Sequence, residues 1–297
     1  MSQGRAKSAA FLLSSPLALS VFDVHLHIQP WSMVQSAALA MIDDPAHAGA
    51  KEILESPENV LRFLDRERID RACCVNYVSP DVMGFTPEVN DWIADFTRSH
   101  RDRLLPVGSV HPAHSRDALG ETRRVLDLGI RMIKIHPPHQ LFAPNAYRAE
   151  LPRLADVYRE CQSRGVPVMF HTGTSVFPLA RNVLADPMPI DDVANDFPGL
   201  TIILAHAGRP LYGETAFFLA RRHRHVHLDL SGIPPKSLPR YVPRLKEIAD
   251  KVLWGTDWPA PGVTSPRKNL EEFRALGYGA EVEKKVLWEN ASRMFSA

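Results

Sequence analysis

This chain has little of several things that would narrow its function at once. It holds three cysteines in 297 residues, too few for a disulfide framework, and Cys73 and Cys74 are adjacent in a Val/Ile-rich run where neighbouring side chains diverge to opposite faces. They read as small core residues, with Cys161 on an amphipathic helix, and the set fits a reducing, cytoplasmic setting. Charge of one sign is also lacking. A net charge of +1 gives no electrostatic pull toward nucleic acid or an acidic membrane surface. No apolar run approaches the length of about 20 residues that spans a bilayer, and no linker, low-complexity tract or repeat marks off a second domain. The expected partner is a small-molecule substrate, with no nucleic acid and no membrane.

Arg5 and Lys7 ahead of Ala9–Leu13 faintly resemble an export signal, but Ser14, Ser15 and Pro16 interrupt the apolar run,. Residues 1–20 are therefore read as an N-terminal extension and 21–297 as one domain.

What is present is a pattern. Phe22-Asp23-Val24-His25-Leu26-His27-Ile28 is a β-rich stretch with two histidines one residue apart. Side chains alternate along a strand, so His25 and His27 share a face and can reach one metal ion. Three later strand-like runs end in residues of metal-ligand or proton-transfer type: His171, His206 and Asp257, each followed at once by loop-forming sequence.

Apolar runs at 21–28, 69–78, 104–110, 130–136, 166–171, 200–206, 226–231 and 251–256 alternate with stretches of helical spacing at 58–68, 87–99, 115–128, 147–164, 190–196, 212–222, 239–249 and 279–290. Alternating βα units predict a parallel sheet, and eight strands predict a closed (β/α)8 TIM barrel, an α/β fold with its active face at the strand carboxyl ends. Ser56 or Pro57 opens one helix, while Gly129 and Gly165 close two others. The long loop after strand one, from about Gln29 to Ser56, carries Trp31, Met33 and Asp43-Asp44 and is read as a lid.

Asp23-x-His25-x-His27, His171-Thr172-Gly173, His206-x-Gly208 and Gly255-Thr256-Asp257-x-Pro259 together resemble the amidohydrolase superfamily. The amidohydrolase-2 branch of metal-dependent hydrolases and related decarboxylases is the nearer likeness, from about Val21 to Met294. The resemblance implies that His25, His27, His171 and Asp257 hold a divalent metal, most often one zinc ion with manganese or another metal as alternatives. It places His206 beside the metal. Such a metal lowers the pKa of a bound water to about 7. Asp257 would then carry the proton and His206 would polarise the substrate oxygen.

The expected activity is hydrolysis of an ester, lactone or amide bond in a small molecule, aromatic ones included. The alternatives are decarboxylation of an aromatic or unsaturated carboxylic acid, and a barrel that binds without catalysis. The resemblance also allows Lys134, on strand four, to be a carboxylated bridge between two metals. His136, His111, Arg209, Trp31, Trp258 and Phe142 are candidate substrate contacts, Arg209 through a bidentate pair with a carboxylate. His223, His225 and His227 alternate too, but they lie at the start of strand seven and are read as structural. Asp229, further up that strand, is either a support for the metal site or a barrel-layer residue. A homodimer is expected on the resemblance alone.

Overall fold

In a computed structural model, which describes residues 19–42, 49–260 and 263–296, all eight expected strands form. They are β1 (Phe22–His27), β2 (Arg71–Val75), β3 (Leu104–Gly108), β4 (Met132–Ile135), β5 (Val168–His171), β6 (Ile202–Ala205), β7 (Val226–Asp229) and β8 (Val252–Leu253). Each pairs in parallel with its sequence neighbour, in the order β1 to β8. The ring is drawn together by Val24 N–H donating to Trp254 O at 2.9 Å, Asp257 N–H to His25 O at 2.7 Å and His27 N–H to Trp258 O at 2.8 Å. The molecule is thus a (β/α)8 barrel. Among the described residues, no helix is long and apolar enough to cross a membrane.

Two apolar layers follow from strand alternation. Phe22, Val24, Val75, Val107, Met132, Met169 and Ile203 fill the barrel, and Ala291 and Phe295 close its floor. Leu26, Ile28, Ile133, Phe170, Leu204 and their neighbours pack outward under the helices. A fully buried side chain of this size contributes about 1.5–3 kcal/mol.

β1 departs from strict alternation. Asp23 pairs with Ala72 and Leu26 with Cys74, so the register slips between them. Alternation continued from Phe22 and Val24 would turn His25 and His27 toward the helices; the bulge instead directs them into the barrel mouth.

The helices differ from expectation where proline intervenes, because proline supplies no N–H and clashes with the preceding turn. Pro152 restricts the expected 147–164 helix to Leu154–Ser163. Pro243 splits 239–249 into Leu238–Tyr241 and a 3-10 stretch, Leu245–Lys251. Ser56 is the cap of the helix Pro57–Glu67, accepting from Asn59 N–H at 3.2 Å, with Pro57 at its first position. Gly129 and Gly165 take the left-handed conformation at their helix ends, φ 83° and 65°.

The segment after β1 is more ordered than a plain loop, with a 3-10 turn Trp31–Met33 and helices Ser36–Ile42 and Ala50–Ile53. Asp43, Asp44 and the extension before Leu19 lie outside the described residues. The helix Pro266–Ala275 was not among the expected elements.

Candidate metal centre

His25 is fully buried at the end of β1. Its Nδ1 lies 2.6 Å from Asp229 Oδ2 and 2.9 Å from Ser231 Oγ. A carboxylate accepts, so Nδ1 carries the proton and Nε2 presents a lone pair, a tautomer assigned from this network. That lone pair faces Asp257 Oδ1 at 3.4 Å and Lys134 Nζ at 3.4 Å. His27 Nε2 lies 3.1 Å from the same Asp257 oxygen, while its buried Nδ1 has no hydrogen-bond partner. The ligand atoms of His25, His27 and Asp257 all lie within 4.8 Å of one another.

His171 and His206 add a second convergence. His171 Nε2 faces Gly173 O at 3.1 Å, and His206 Nδ1 faces Ser231 O at 3.0 Å. A carbonyl cannot donate, so each of those nitrogens holds its ring's proton. Burial pushes both rings well below the usual histidine range, which keeps them neutral,. The bare His171 Nδ1 and His206 Nε2 are then left 3.1 Å apart, lone pair against lone pair. A cation beside them relieves that repulsion, as a water donating to both would. Burial, then Lys134, likewise holds His25 neutral. Neutral imidazoles and one carboxylate are the donors a borderline divalent ion takes, so this residue set fits such a metal.

The backbone that aims these groups is constrained. Asp257 and His206 have φ of 70° and 64°, and Ala207 follows at 44°, a region costly for residues with a Cβ. Gly255 allows a close approach, since a Cβ there would overlap Asp229 Oδ1 and come within 2.9 Å of His25 Cβ. Asp23 ties β1 to this loop, accepting from His25 N–H at 2.9 Å and Thr256 Oγ1–H at 2.6 Å, and burial pushes its pKa to about 6. Burial raises Asp229 and lowers Lys134, whose charges face each other across the barrel.

A cavity of about 250 Å³ opens over this cluster, lined by His27, Lys134, His136, His171, His206, Arg209 and Asp257 among others. Arg209 donates from Nε to Gly232 O at 2.9 Å and from Nη1 to Thr174 O at 3.0 Å, and its Nη2 reaches 3.7 Å from Asp257 Oδ2. His136 is stacked between His139 and His171, with ring centroids 3.7 and 3.8 Å away.

The structure does not bring the other four candidates to this cavity. His111 faces a separate cavity beyond Ser109 and Val110. Gln140 fills the ground between, donating to Val78 O and accepting from His136 N–H, both at 2.9 Å. Phe142 packs edge-on against His111. Trp258 points outward and stacks on Phe63 at 4.2 Å, and Trp31 is half-buried in the segment after β1 with Lys51 over its ring. Their positions just after strands suggested the mouth, yet their side chains turn to the helices and outer loops. His223 meets Asp191 at 2.7 Å at the end of the helix Gly213–Arg222, ahead of β7.

Sequence reasoning missed His139 and Ser231. His139 hydrogen-bonds Tyr77 Oη at 2.9 Å and Ser175 Oγ at 2.7 Å. Its signal was His136-Pro-Pro-His139, which the short helix Pro137–Gln140 puts on one turn. Ser231 touches both His25 and His206.

A parallel eight-stranded barrel with imidazoles and a carboxylate at its carboxyl mouth is the architecture of the TIM-barrel metalloenzymes. More narrowly, the chain belongs to the amidohydrolase family, amidohydrolase-2 branch, whose model matches residues 22–297. It is therefore an enzyme, a hydrolase or a carboxy-lyase, of a family whose members bind a divalent metal. The 4-sulfomuconolactone hydrolase of Rhizobium radiobacter is 26% identical over 320 residues, covering 98% of this chain and 94% of that protein. An uncharacterised TIM-barrel protein from Bordetella bronchiseptica superposes with a TM-score of 0.74 at 22% identity, over 94% of this chain and 99% of its own. A dihydroxybenzoic acid decarboxylase from Polaromonas sp. JS666, solved with manganese and 2-nitroresorcinol, gives a TM-score of 0.68 at 16% identity, over 93% and 97%. These two structural likenesses speak to the fold.

Proposed function

We propose that this enzyme hydrolyses a lactone or ester bond in a small anionic molecule, with one divalent metal, preferentially zinc, held by His25, His27, His171 and Asp257. The observation that carries this reading is the facing of bare nitrogens and a carboxylate across the mouth, with His171 Nδ1 only 3.1 Å from His206 Nε2. A lactone hydrolase relative supports the reaction class. The ion supplies a water of lowered pKa and a polarised carbonyl.

The chain's own groups complete the step. Asp257 accepts a proton from the attacking water as its oxygen bonds to the carbonyl carbon, then returns that proton to the alkoxide as the C–O bond breaks. His206 donates its Nδ1–H to Ser231 O, so its bare Nε2 enters as a proton acceptor, in place of the polarising donor expected from the sequence. Arg209 Nη2 and Lys134 Nζ are the donors at hand for the developing oxyanion and for a substrate carboxylate. Tyr77, Phe177 and the stacked His136 give the cavity a flat wall, which favours a planar substrate and supports decarboxylation of an aromatic acid as the second reading. The three buried thiols suit a cytoplasmic enzyme,.

The test is turnover in H2 18O of a panel of unsaturated carboxylate-bearing lactones, aryl esters and hydroxybenzoic acids. Hydrolysis predicts 18O in the product and no CO2, with Asp257→Asn slowed by about 10²–10⁴-fold. Release of CO2 without solvent oxygen in the product would replace this reading with the decarboxylase.

A further inference from the structure

Away from the mouth, Asp81, His111 and His114 form a second group whose ligand atoms all lie within 4.8 Å of one another. His111 and His114 share a tight turn after β3, where His114 N–H donates to His111 O at 3.0 Å. Their rings meet edge to face, centroids 4.4 Å apart. Asp81, from the loop after β2, places Oδ2 at 2.9 Å from His114 Nε2.

His111 is what separates this group from an ordinary surface ion pair. It is 4% exposed, and both ring nitrogens are buried without a hydrogen-bond partner. The backbones of His111 itself and of Gln140 approach the ring, yet neither closes a hydrogen bond with it. A buried imidazole left wholly unsatisfied is a standing cost, and such groups call for an explanation. Here the ring borders a cavity of about 230 Å³ that also receives His114, Ser115 and Glu121.

We propose that Asp81, His111 and His114 bind a divalent transition-metal ion, at a second site independent of the barrel mouth. Two imidazoles and a carboxylate select zinc, cobalt, nickel or copper over calcium or magnesium, which take oxygen donors. Asp81 and His114 are partly exposed, so water completes the coordination. The ion clips the loop after β2 to the turn after β3. That β2 loop is also held by Gln35, whose side chain donates to Asp81 O at 3.3 Å and whose N–H donates to Met83 O at 2.9 Å. Met83 lines the mouth cavity, so the second ion braces one substrate wall from outside.

A count of two metals per chain would then arise without any bridge at Lys134. The experiment is Co2+ titration of the metal-free, full-length protein by calorimetry and visible absorption, beside His25→Ala, His114→Ala, Asp81→Asn and Lys134→Met. Wild type is expected to bind two ions. His25→Ala should keep one, while His114→Ala and Asp81→Asn should keep the mouth ion and weaken the other at least tenfold. Both of these substitutions are at partly exposed side chains, and far-ultraviolet circular dichroism checks that they fold. One ion in wild type, lost in His25→Ala, overturns the proposal. So does a second ion that survives His114→Ala and Asp81→Asn but is lost in Lys134→Met.

Discussion

Asp229 decides how His25 can be used. By accepting the Nδ1 proton at 2.6 Å it fixes both tautomer and ring orientation, and partners of this kind set metal affinity by about 10- to 100-fold. Asp229→Ala is therefore expected to weaken binding at the mouth by roughly that factor, read by competition with a coloured chelator, while the metal affinity at His111 and His114 stays unchanged. An unaltered affinity at the mouth would make Asp229 a barrel-layer residue only. Sequence alone left both roles open for Asp229, because the strand position was legible and the partner was not. His25 and His27 were legible as a pair through their spacing. His139 had only the His136-Pro-Pro-His139 spacing to mark it, and that spacing gains meaning only with the short helix Pro137–Gln140. His111 and Trp258 were placed at the mouth because they follow strand ends, but that position does not specify which way the next side chain turns.

The elements carry constraints that residues alone do not. The β1 bulge turns the histidine pair inward, and no feature of Phe22–Ile28 announces it; register depends on the partner strand. The loop after β8 is equally exacting, as Gly255 leaves no room for a methyl group beside Asp229. Gly255→Ala is expected to destabilise the protein by about 1–3 kcal/mol through overpacking and to loosen metal at the mouth, measured as a lower midpoint in urea and a reduced metal content. A variant with wild-type stability and full metal content would contradict that account of the loop. The eight strands were readable because apolar runs and glycine punctuation recur. Helix ends were misjudged where Pro152 and Pro243 cut a helical apolar spacing short.

At the scale of the whole molecule, the mouth joins residues far apart in the chain, and an ion held there binds the folded state alone. Such binding stabilises by about 4 kcal/mol when free metal exceeds its Kd 1,000-fold. Chelation is therefore expected to lower the thermal midpoint, with the shift strongly reduced in His25→Ala. The same midpoint with and without chelator would mean that the folded mouth holds no ion at that concentration, and would overturn the metal site.

His27 and Asp257 meet across 230 positions of sequence, from the first strand and the loop after the last. On the ribosome, the histidine pair emerges first and waits for its carboxylate through the synthesis of all the strands between them. A nascent chain stalled before Asp257 would carry His25 and His27 without the carboxylate that meets them, so the mouth site closes only after Asp257 has emerged.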